Sequence, residues 1–405
     1  MSSRPSLLSQ FAWVLPSRVI STLLQAALLV LLARWAGPRD FGVIVTVVAV
    51  TTVAATTTDF GLSGYISVLR TADPSDPRIR SALNLNNRTS VILSIGIVLV
   101  LVVLGRWEPT LLLVAPLGLW VGAERNLSAW GTVSVADGTT RLNAVGAVTI
   151  RACTLTLFLA AQPVVGPAFA FATSSAFCSL AAAHYLRRRI EPSIAFGNLP
   201  STLIITQARH YWATTALTQL RQLDTLVVTA AASPITVGVY AIVTRLTGPI
   251  QLVPRALAPL LLPHARRNRA APRAALLPML GGVVALMTVL LAIIAWQAEL
   301  IIAASVGSSY APAVQPLRVV CLGLVFASAS TLMNASMQGL GFERAVASLS
   351  GVVSGCVLLG VGIGAHLGAA SGAAIGLSTA YLVQCALTAG VFARALRQRA
   401  APSEP

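Results

Sequence analysis

The chain has 405 residues, of which 56% are hydrophobic and only 10% are charged, with a mean hydropathy of +0.80. Soluble domains carry about 25% charged residues, so this much apolar surface excludes a soluble fold and indicates an integral membrane protein. The net charge of +16 comes from 28 arginines, with no lysine. Because the arginines lie between apolar runs and not on one continuous polar face, a nucleic-acid-binding protein is excluded as well.

Twelve apolar runs, each long enough to cross a bilayer at about 20 residues, follow one another along the chain. The first has Arg18 in its middle and no clear cleavage site, which predicts a spanning helix and not a signal peptide. The connections are short and leave no soluble domain. The predicted fold is therefore all-α and polytopic, with spans near 10–35, 41–68, 83–104, 111–134, 142–161, 165–187, 207–230, 236–262, 275–297, 314–338, 344–366 and 371–395.

The arginine distribution predicts the orientation of these helices. With the N-terminus inside, the inner segments hold 18 arginines and the outer segments hold 4. Basic residues concentrate in short cytoplasmic loops. Both termini are therefore expected in the cytoplasm, with an even number of spans between them.

Two sequence echoes divide the chain into halves. The turn Pro38–Gly42 shares its Pro-x-x-x-Gly pattern with Pro234–Gly238, 196 residues later, and Gly138–Arg141 matches Gly341–Arg344, 203 residues later. Their common order predicts two six-helix lobes repeated about an axis normal to the membrane. We expect an N-terminal lobe over 1–190, a cytoplasmic linker over 191–206, a C-terminal lobe over 207–397 and a cytoplasmic tail over 398–405.

Charged and amide side chains recur on one face of several predicted spans. An arginine or aspartate at bilayer depth costs roughly 2.5–3.5 kcal/mol on insertion scales, so these positions need an explanation. Helical spacing places them on polar faces of spans one, two, seven and eight, the paired members of the two repeats. Such faces predict one central cavity, lined by Arg18, Gln25, Asp59, Arg221, Asp224, Arg245, Gln251 and Arg255.

An anionic ligand is one interpretation of the arginines, because guanidinium groups bind phosphate bidentately and stay charged. The predicted substrate-binding set is Arg18, Gln25, Arg151, Arg221, Arg245, Gln251 and Arg255. Asp59 and Asp224 are expected to balance these charges or to bind a coupling cation. Structural pairing is the alternative: Arg221 and Asp224 are spaced to neutralise each other on one helix, and a structural or interfacial role is favoured for Glu124 and Arg125.

Enzyme signatures do not occur in the sequence. The phosphate-binding loop, His-Glu-x-x-His, Gly-x-Ser-x-Gly and Cys-x-x-Cys patterns are all missing. The scattered cysteines and histidines predict no metal site. We therefore expect neither an enzyme nor a bound cofactor, and leave coupling to H⁺ or Na⁺ open.

The segments 31–42 and 59–62, Leu-Leu-Ala-Arg-Trp-Ala-Gly-Pro-Arg-Asp-Phe-Gly and Asp-Phe-Gly-Leu, resemble the opening of oligosaccharide flippases of the polysaccharide-transporter family. This family is part of the multidrug/oligosaccharidyl-lipid/polysaccharide (MOP) exporter superfamily, and residues 223–246 resemble the start of its second lobe. The resemblance implies two six-helix bundles, a cationic central cavity and a bacterial cytoplasmic membrane. It also implies an undecaprenyl-diphosphate-linked glycan as cargo, for O-antigen, capsule or exopolysaccharide, with a polymerase and glycosyltransferases as partners.

Two other functions stay open at this point. The first is a drug/cation antiporter of the same fold, known as MATE, which needs buried acids facing the cavity and few arginines. The second is a non-transporting scaffold of a polysaccharide assembly complex, whose basic loops dock partner enzymes. Spanning arginines outnumber spanning acids in this chain, which favours the flippase over both.

Overall fold

The protein is helical throughout the part that the structure, a computed structural model, describes: residues 7–219, 223–267 and 272–400. Arg221 and the last five residues of the predicted tail lie outside these ranges. The α-helices are α1 Leu7–Thr57, α2 Leu62–Ala72, α3 Pro77–Leu104, α4 Pro109–Leu113, α5 Leu117–Ala136, α6 Thr140–Val165, α7 Pro167–Ile190, α8 Ser201–Gln219, α9 Asp224–Ala231, α10 Pro234–Thr247, α11 Leu252–Arg267, α12 Pro272–Trp296, α13 Ala298–Ser305, α14 Val314–Leu340 and α15 Glu343–Ala400.

Eight helices in the described ranges are long and apolar enough to cross a membrane. Two of them each hold two predicted spans, because α1 is kinked at Gly37 and α15 at Gly368 and Ala369. At Gly37 the backbone has φ of 78°, a conformation that glycine adopts without a steric penalty. The two remaining predicted spans fall on α5 and α8, which are not among these eight helices. The prediction of an all-α membrane fold with about twelve spans is confirmed.

The chain forms two compact units. Unit 1 comprises Met1–Ala36 and Val43–Leu223, and unit 2 comprises Gly37–Gly42 and Asp224–Pro405. Unit 2 therefore includes a short turn of α1 in addition to the second half of the chain. The predicted second lobe begins at residue 207, whereas unit 1 continues through α8 to Leu223.

The core of unit 1 is built by α2, α3, α5, α7 and α8. Apolar side chains spaced three or four residues apart place Leu62 and Ile66 on one face of α2, where both are fully buried. Ile79 of α3, Val133 of α5 and Ile204 of α8 complete the same core. α8 thus contributes a buried apolar face to unit 1.

A buried arginine joins three connections of unit 1. Arg70, at the end of α2, binds Asp137 at 2.6 Å between Nε and Oδ1. Its Nη1 donates to the Pro74 carbonyl oxygen at 2.6 Å, and its Nη2 donates to Ser193 Oγ at 3.1 Å. The neighbouring Arg80 pairs with Glu191 at 2.6 Å. These bonds fasten the α2–α3 turn, the end of α5 and the segment after α7 to one another.

Hydrogen bonds also hold the predicted linker and α8 against unit 1. The Leu199 N–H donates to Ser81 Oγ at 2.9 Å, and Tyr65 hydrogen-bonds Gln207. Trp212 Nε1 donates to the Thr57 carbonyl oxygen at 2.9 Å. The segment after residue 190 is therefore fixed on unit 1, which gives a physical reason why the compact unit extends past residue 206.

The core of unit 2 lies between α11, α12, α14 and α15. Its fully buried members include Leu276, Leu332 and Met337. The two halves of α15 approach closely, since a Cβ atom on Gly364 would lie 2.1 Å from the Gly372 carbonyl oxygen. Glycine at these positions lets two helix backbones touch, as small residues do at membrane helix interfaces.

The two echoed sequence patterns occupy matching structural positions. Within unit 2, the turn Pro38–Gly42 packs reciprocally against Pro234–Gly238. A Cβ atom on Gly42 would lie 1.8 Å from the Pro234 carbonyl oxygen, and one on Gly238 would lie 2.0 Å from the Pro38 carbonyl oxygen. In the second echo, Gly138 and Gly341 both follow the end of a helix with positive φ, 77° and 94°. The members of the first echo thus contact each other, and the glycines of the second echo share a positive φ.

Candidate functional site

Unit 1 contains a polar cavity of about 270 Å³ beside the end of α1. Asp59 and Ser63 line one wall, and Glu124 and Arg125 of α5 line the other. Two acidic groups and a guanidinium therefore share one small space. The remaining lining residues are Thr52, Ala55, Thr56, Trp120, Val121 and Ser128.

Arg125 is the most extensively bonded charge of this cavity. The residue is 7% exposed, and its Nη1 donates to Thr58 Oγ1 at 2.9 Å. Nη2 donates to Thr89 Oγ1 at 2.9 Å, to Asn86 Oδ1 at 3.2 Å and to the Thr58 carbonyl oxygen at 3.0 Å. Asn86 in turn donates to Asn126 at 2.9 Å. Neutral acceptors thus compensate much of the lost hydration of this cation.

Asp59 lies opposite, between α1 and α2, and is 8% exposed. Its Oδ1 accepts a hydrogen bond from Ser63 Oγ at 3.2 Å. Arg125 contributes a favourable charge interaction, but the described contacts include no ion pair between the two groups. The carboxylate is therefore balanced at a distance and remains part of the cavity wall.

Glu124 is held by two partners on neighbouring helices. Its Oε1 accepts from Arg151 Nη2 at 3.1 Å, and its Oε2 accepts from Ser179 Oγ at 3.1 Å. Arg151 is thus paired across helices α5 and α6. The sequence showed only that Arg151 has no acidic partner on its own helix.

In unit 2, Asp224 begins α9 and faces a tyrosine and an arginine of α10. Its Oδ1 accepts the Thr225 N–H at 2.7 Å, and its Oδ2 accepts the Tyr240 hydroxyl at 3.3 Å. Arg245 interacts with this carboxylate through its charge. The Arg245 Nε atom is buried and has no hydrogen-bond partner among the described residues.

A bend follows Arg245 along the chain. The 3₁₀ segment Gly248–Gln251 separates α10 from α11. One turn later, Arg255 is exposed and its Nη2 donates to Gln251 Oε1 at 2.8 Å. The α-helix is therefore interrupted at Pro249, between Arg245 and Arg255.

The predicted binding residues are distributed over both compact units. Arg18 is exposed and Gln25 half-buried on α1, and both belong with Asp59 and Arg151 to unit 1. Asp224, Arg245, Gln251 and Arg255 belong to unit 2, and Arg221 lies outside the described residues. Their grouping into one site stays a prediction. Among described side chains, no three histidine, cysteine or acidic groups come together as a metal site.

Sequence reasoning missed the network around Arg125. The sequence does contain two pairs of adjacent polar residues that belong to this network, Asn86-Asn87 and Arg125-Asn126. Asn126 donates to Asn87 at 3.2 Å, so both pairs join one network. Because the members lie on separate helices, helical spacing within one span could not connect them.

The fold is that of MOP superfamily transporters. An inward-facing multidrug resistance MATE family transporter of this superfamily matches with a TM-score of 0.73 at 17% identity, covering 95% of this chain and 96% of that one. The lipid II flippase MurJ, in an inward closed conformation, matches with a TM-score of 0.71 at 13% identity, over 98% and 90% of the two chains. A MOP superfamily transporter from Pyrococcus furiosus matches with a TM-score of 0.64 at 15% identity, over 98% and 97%.

The shared fold and the eight described helices that are long and apolar enough to cross a membrane indicate a multi-pass membrane protein with the fold of transporters and flippases. A sequence-family model described as "Polysaccharide biosynthesis protein" matches residues 7–116, which confirms the resemblance to polysaccharide transporters. No curated protein sequence matches the chain. The structural neighbours are transporters and flippases and not enzymes, as expected from the sequence.

Proposed function

We propose that this protein is a flippase for a polyprenyl-diphosphate-linked oligosaccharide. It moves the repeat unit of a surface polysaccharide, carried on undecaprenyl diphosphate, from the cytoplasmic to the outer leaflet of a bacterial cytoplasmic membrane by alternating access. The polysaccharide-biosynthesis match over residues 7–116 and the fold shared with a lipid II flippase support this class of cargo. Both termini are cytoplasmic in this proposal, and glycosyltransferases and a polymerase act before and after it.

The observation that carries the proposal is the state of Arg245. Its Nε is buried and has no hydrogen-bond partner among the described residues. A buried donor without a partner costs about 1–3 kcal/mol, and more for a charged group. An anionic ligand with several acceptor oxygens removes this cost, and a diphosphate supplies both the charge and the acceptors.

The charge of the unit 1 cavity disfavours the drug/cation antiporter. Asp59 and Glu124 provide two negative charges, and Arg125 together with the Glu124-bound Arg151 provides two positive ones. An organic cation would find no net negative field there. For the Pyrococcus furiosus transporter, the reversed polarity of the binding pocket suggests a different function. Pocket polarity is the same criterion that we apply here.

Variants of the arginines test the cargo. We expect Arg18→Ala combined with Arg245→Ala to abolish transport, while Arg245→Lys loses less activity because it keeps the charge without the planar fork. The attraction between charges about 4 Å apart is about 4 kcal/mol at an effective dielectric of 20, so one site arginine has a large effect. Arg318→Ala is the matched control, because Arg318 already pairs with Glu299 at 3.0 Å.

The measurement is the amount of lipid-linked sugar that an external glycan-modifying enzyme can reach, normalised to protein abundance in the membrane. Normal transport by the double variant at normal abundance contradicts the proposed site. Cation efflux from vesicles by the wild-type protein, without lipid-linked sugar transport, favours the antiporter. Stable partner complexes without either transport activity favour the scaffold.

Coupling to H⁺ or Na⁺ through Asp59 is part of the proposal. Asp59 accepts a hydrogen bond from Ser63 and lines the same cavity as Thr52 and Thr56. Carboxylate and hydroxyl oxygens are ligands suited to a small cation. We expect Asp59→Asn to make transport insensitive to collapse of the ion gradient and slower. Asp73→Asn, in an exposed turn, is the control and retains the gradient dependence of the wild type.

A further inference from the structure

An apolar groove of about 770 Å³ runs along the surface of unit 1 between α6 and α7. Gly146 and Ala147 of α6 face Ala181 and Ala182 of α7 across it, and Leu127 of α5 forms part of the floor. None of the described side chains lining the groove is charged. Small residues create the space, because larger side chains at these positions would fill the gap between the helices.

The groove is longer than the thickness of one leaflet of the bilayer. Along α6 it extends from Leu142 to Leu157, which corresponds to about 22 Å at about 1.5 Å per residue. The hydrocarbon core of a bilayer is about 30 Å thick, so one leaflet offers about 15 Å. An acyl chain of a phospholipid ends near the midplane, whereas a polyprenyl chain is long enough to continue past it.

One end of the groove is basic. Arg141 stands next to Leu142 at the start of α6, and Arg188 and Arg189 lie near the end of α7, all with exposed side chains. Tyr185 lines the groove, and its hydroxyl accepts a hydrogen bond from Arg189 Nη1 at 3.0 Å. This is the end that the arginine distribution predicts to be cytoplasmic. The other end, at Leu157 and Phe177, is apolar.

We propose that this groove binds the polyprenyl chain of the cargo, with the diphosphate at the basic end when the lipid is taken from the cytoplasmic leaflet. The inference rests on the proposed function, and it assigns a place to the tail in addition to the arginines that receive the headgroup. The complementarity is specific: an anion at one end, followed by a single apolar chain longer than one leaflet. The volume is in the range of about 300–1,000 Å³ found for ligand sites.

The groove lies beside the polar cavity without sharing its residues. Leu127 of α5 faces the groove, while Glu124 and Ser128 of the same helix line the cavity. α6 likewise contributes Ile150 to the groove and Arg151 to the pair with Glu124. The tail can therefore occupy its groove while the polar cavity of unit 1 stays accessible to ions.

Filling the groove tests this assignment. A Cβ atom on Gly146 meets no described atom within 4 Å, so Gly146→Phe places a ring in the groove without a backbone clash. Gly96→Phe is the matched control, because Gly96 lies on spanning helix α3 of the same unit and its Cβ also meets no described atom within 4 Å. Both variants add the same side chain to a membrane helix.

The probe is undecaprenyl diphosphate with a photoreactive group on its chain, applied to the purified full-length protein in lipid nanodiscs. We expect labelling of peptides from 142–157 and 177–186, reduced at least about tenfold by Gly146→Phe, which corresponds to about 1.4 kcal/mol. Gly96→Phe should label as the wild type does. A phosphatidylglycerol probe with a photoreactive acyl chain should label these peptides weakly and compete poorly.

Three results overturn the inference. Equal labelling and competition by phosphatidylglycerol would assign the groove to bulk phospholipid. Undecaprenyl diphosphate labelling confined to other helices would exclude this groove and leave the proposed function standing. A polyprenyl probe that labels no part of the protein above the phosphatidylglycerol background would contradict the proposed function itself.

Discussion

Replacing Gly238 by alanine should disturb the reciprocal contact between the two echoed turns of unit 2. A Cβ atom there would lie 2.0 Å from the Pro38 carbonyl oxygen, whereas ordinary contacts begin at 3.4 Å. The turn must therefore retreat by about 1.4 Å, and the obstacle is backbone that no side-chain rotation can remove. Gly42→Ala creates the mirror-image clash, with the Pro234 carbonyl oxygen at 1.8 Å.

Each substitution should lower the free energy of unfolding by about 1–3 kcal/mol, the usual cost of overpacking. The higher helix propensity of alanine recovers at most about 1 kcal/mol. Because one separation of the two turns relieves both clashes, the double variant should lose less than the sum of the single losses. A coupling of about 0.5–3 kcal/mol is typical of residues in contact.

The assay is thermal unfolding of the purified variants in detergent, followed by tryptophan fluorescence. A change of 1 kcal/mol moves the melting temperature by about 2–4 °C in domains of 150–250 residues, so we expect several degrees for each single variant. Gly248→Ala is the control, since a Cβ there meets no described atom within 4 Å. The reciprocal contact would be refuted if both single variants melted at the wild-type temperature. It would also be refuted if the loss of unfolding free energy in the double variant equalled the sum of the single losses.

Three further outcomes are expected. Arg125→Leu should lower the free energy of unfolding by at least about 1–3 kcal/mol, because it leaves the buried Asn86 Oδ1 and the carbonyl oxygen of Thr58 without this donor; equal abundance of the variant and the wild type in membranes would contradict this. The double variant Arg151→Ala, Glu124→Ala should lose less stability than the sum of the two single losses, because each single change leaves one charge unpaired; a double-mutant cycle of thermal unfolding measures this difference. Asp76→Ala should remove about 0.5–2 kcal/mol by loss of the α3 cap, as denaturation at neutral pH would show.

The pH dependence of the Asp76 contribution follows from its hydrogen bonds. The side-chain hydrogen bond from Arg78 lowers the pKa of the Asp76 carboxyl below its ordinary value. A lowered folded-state pKa stabilises the fold above the unfolded value, near about 3.9. The stabilisation is therefore complete at neutral pH and is lost as the pH falls through the folded-state pKa. The Asp76→Ala variant should show a smaller loss of stability between neutral and acidic pH than the wild type.

Much of the fold was predictable because its signals are local. Apolar runs mark spans, and the Pro-x-x-x-Gly echo marks turns that have corresponding positions in unit 2. The extent of unit 1 was not predictable in the same way. α8 joins unit 1 through bonds such as Trp212 to Thr57 and Tyr65 to Gln207, whose partners are more than a hundred residues apart.

The sequence predicted the candidate site only as a set of charged residues that cost free energy to place in a bilayer. Charge at membrane depth pointed to Arg151, Arg245 and Asp59, but their partners depend on which helices are neighbours. The structure gives Arg151 an acidic partner, Glu124, from another helix. Periodicity assigns a side chain to a face of its own helix, and it cannot supply the side chain that lies opposite.

Arg125, which is buried, and Arg245, which is half-buried, show how structural and ligand-binding roles differ in physical terms. The Nη atoms of Arg125 donate to three side chains and a backbone oxygen, so its charge is solvated by the protein and holds α1, α3 and α5 together. Arg245 interacts with Asp224 through its charge, and its buried Nε has no hydrogen-bond partner among the described residues. The Nε of Arg125 also has no partner, but the Nη atoms of Arg125 make the four hydrogen bonds given above. A cation that is already solvated gains little from a diphosphate, whereas one that is only neutralised at a distance gains hydrogen bonds on binding. In the proposed function, Asp224 stabilises Arg245 when the cargo leaves, which keeps diphosphate binding reversible.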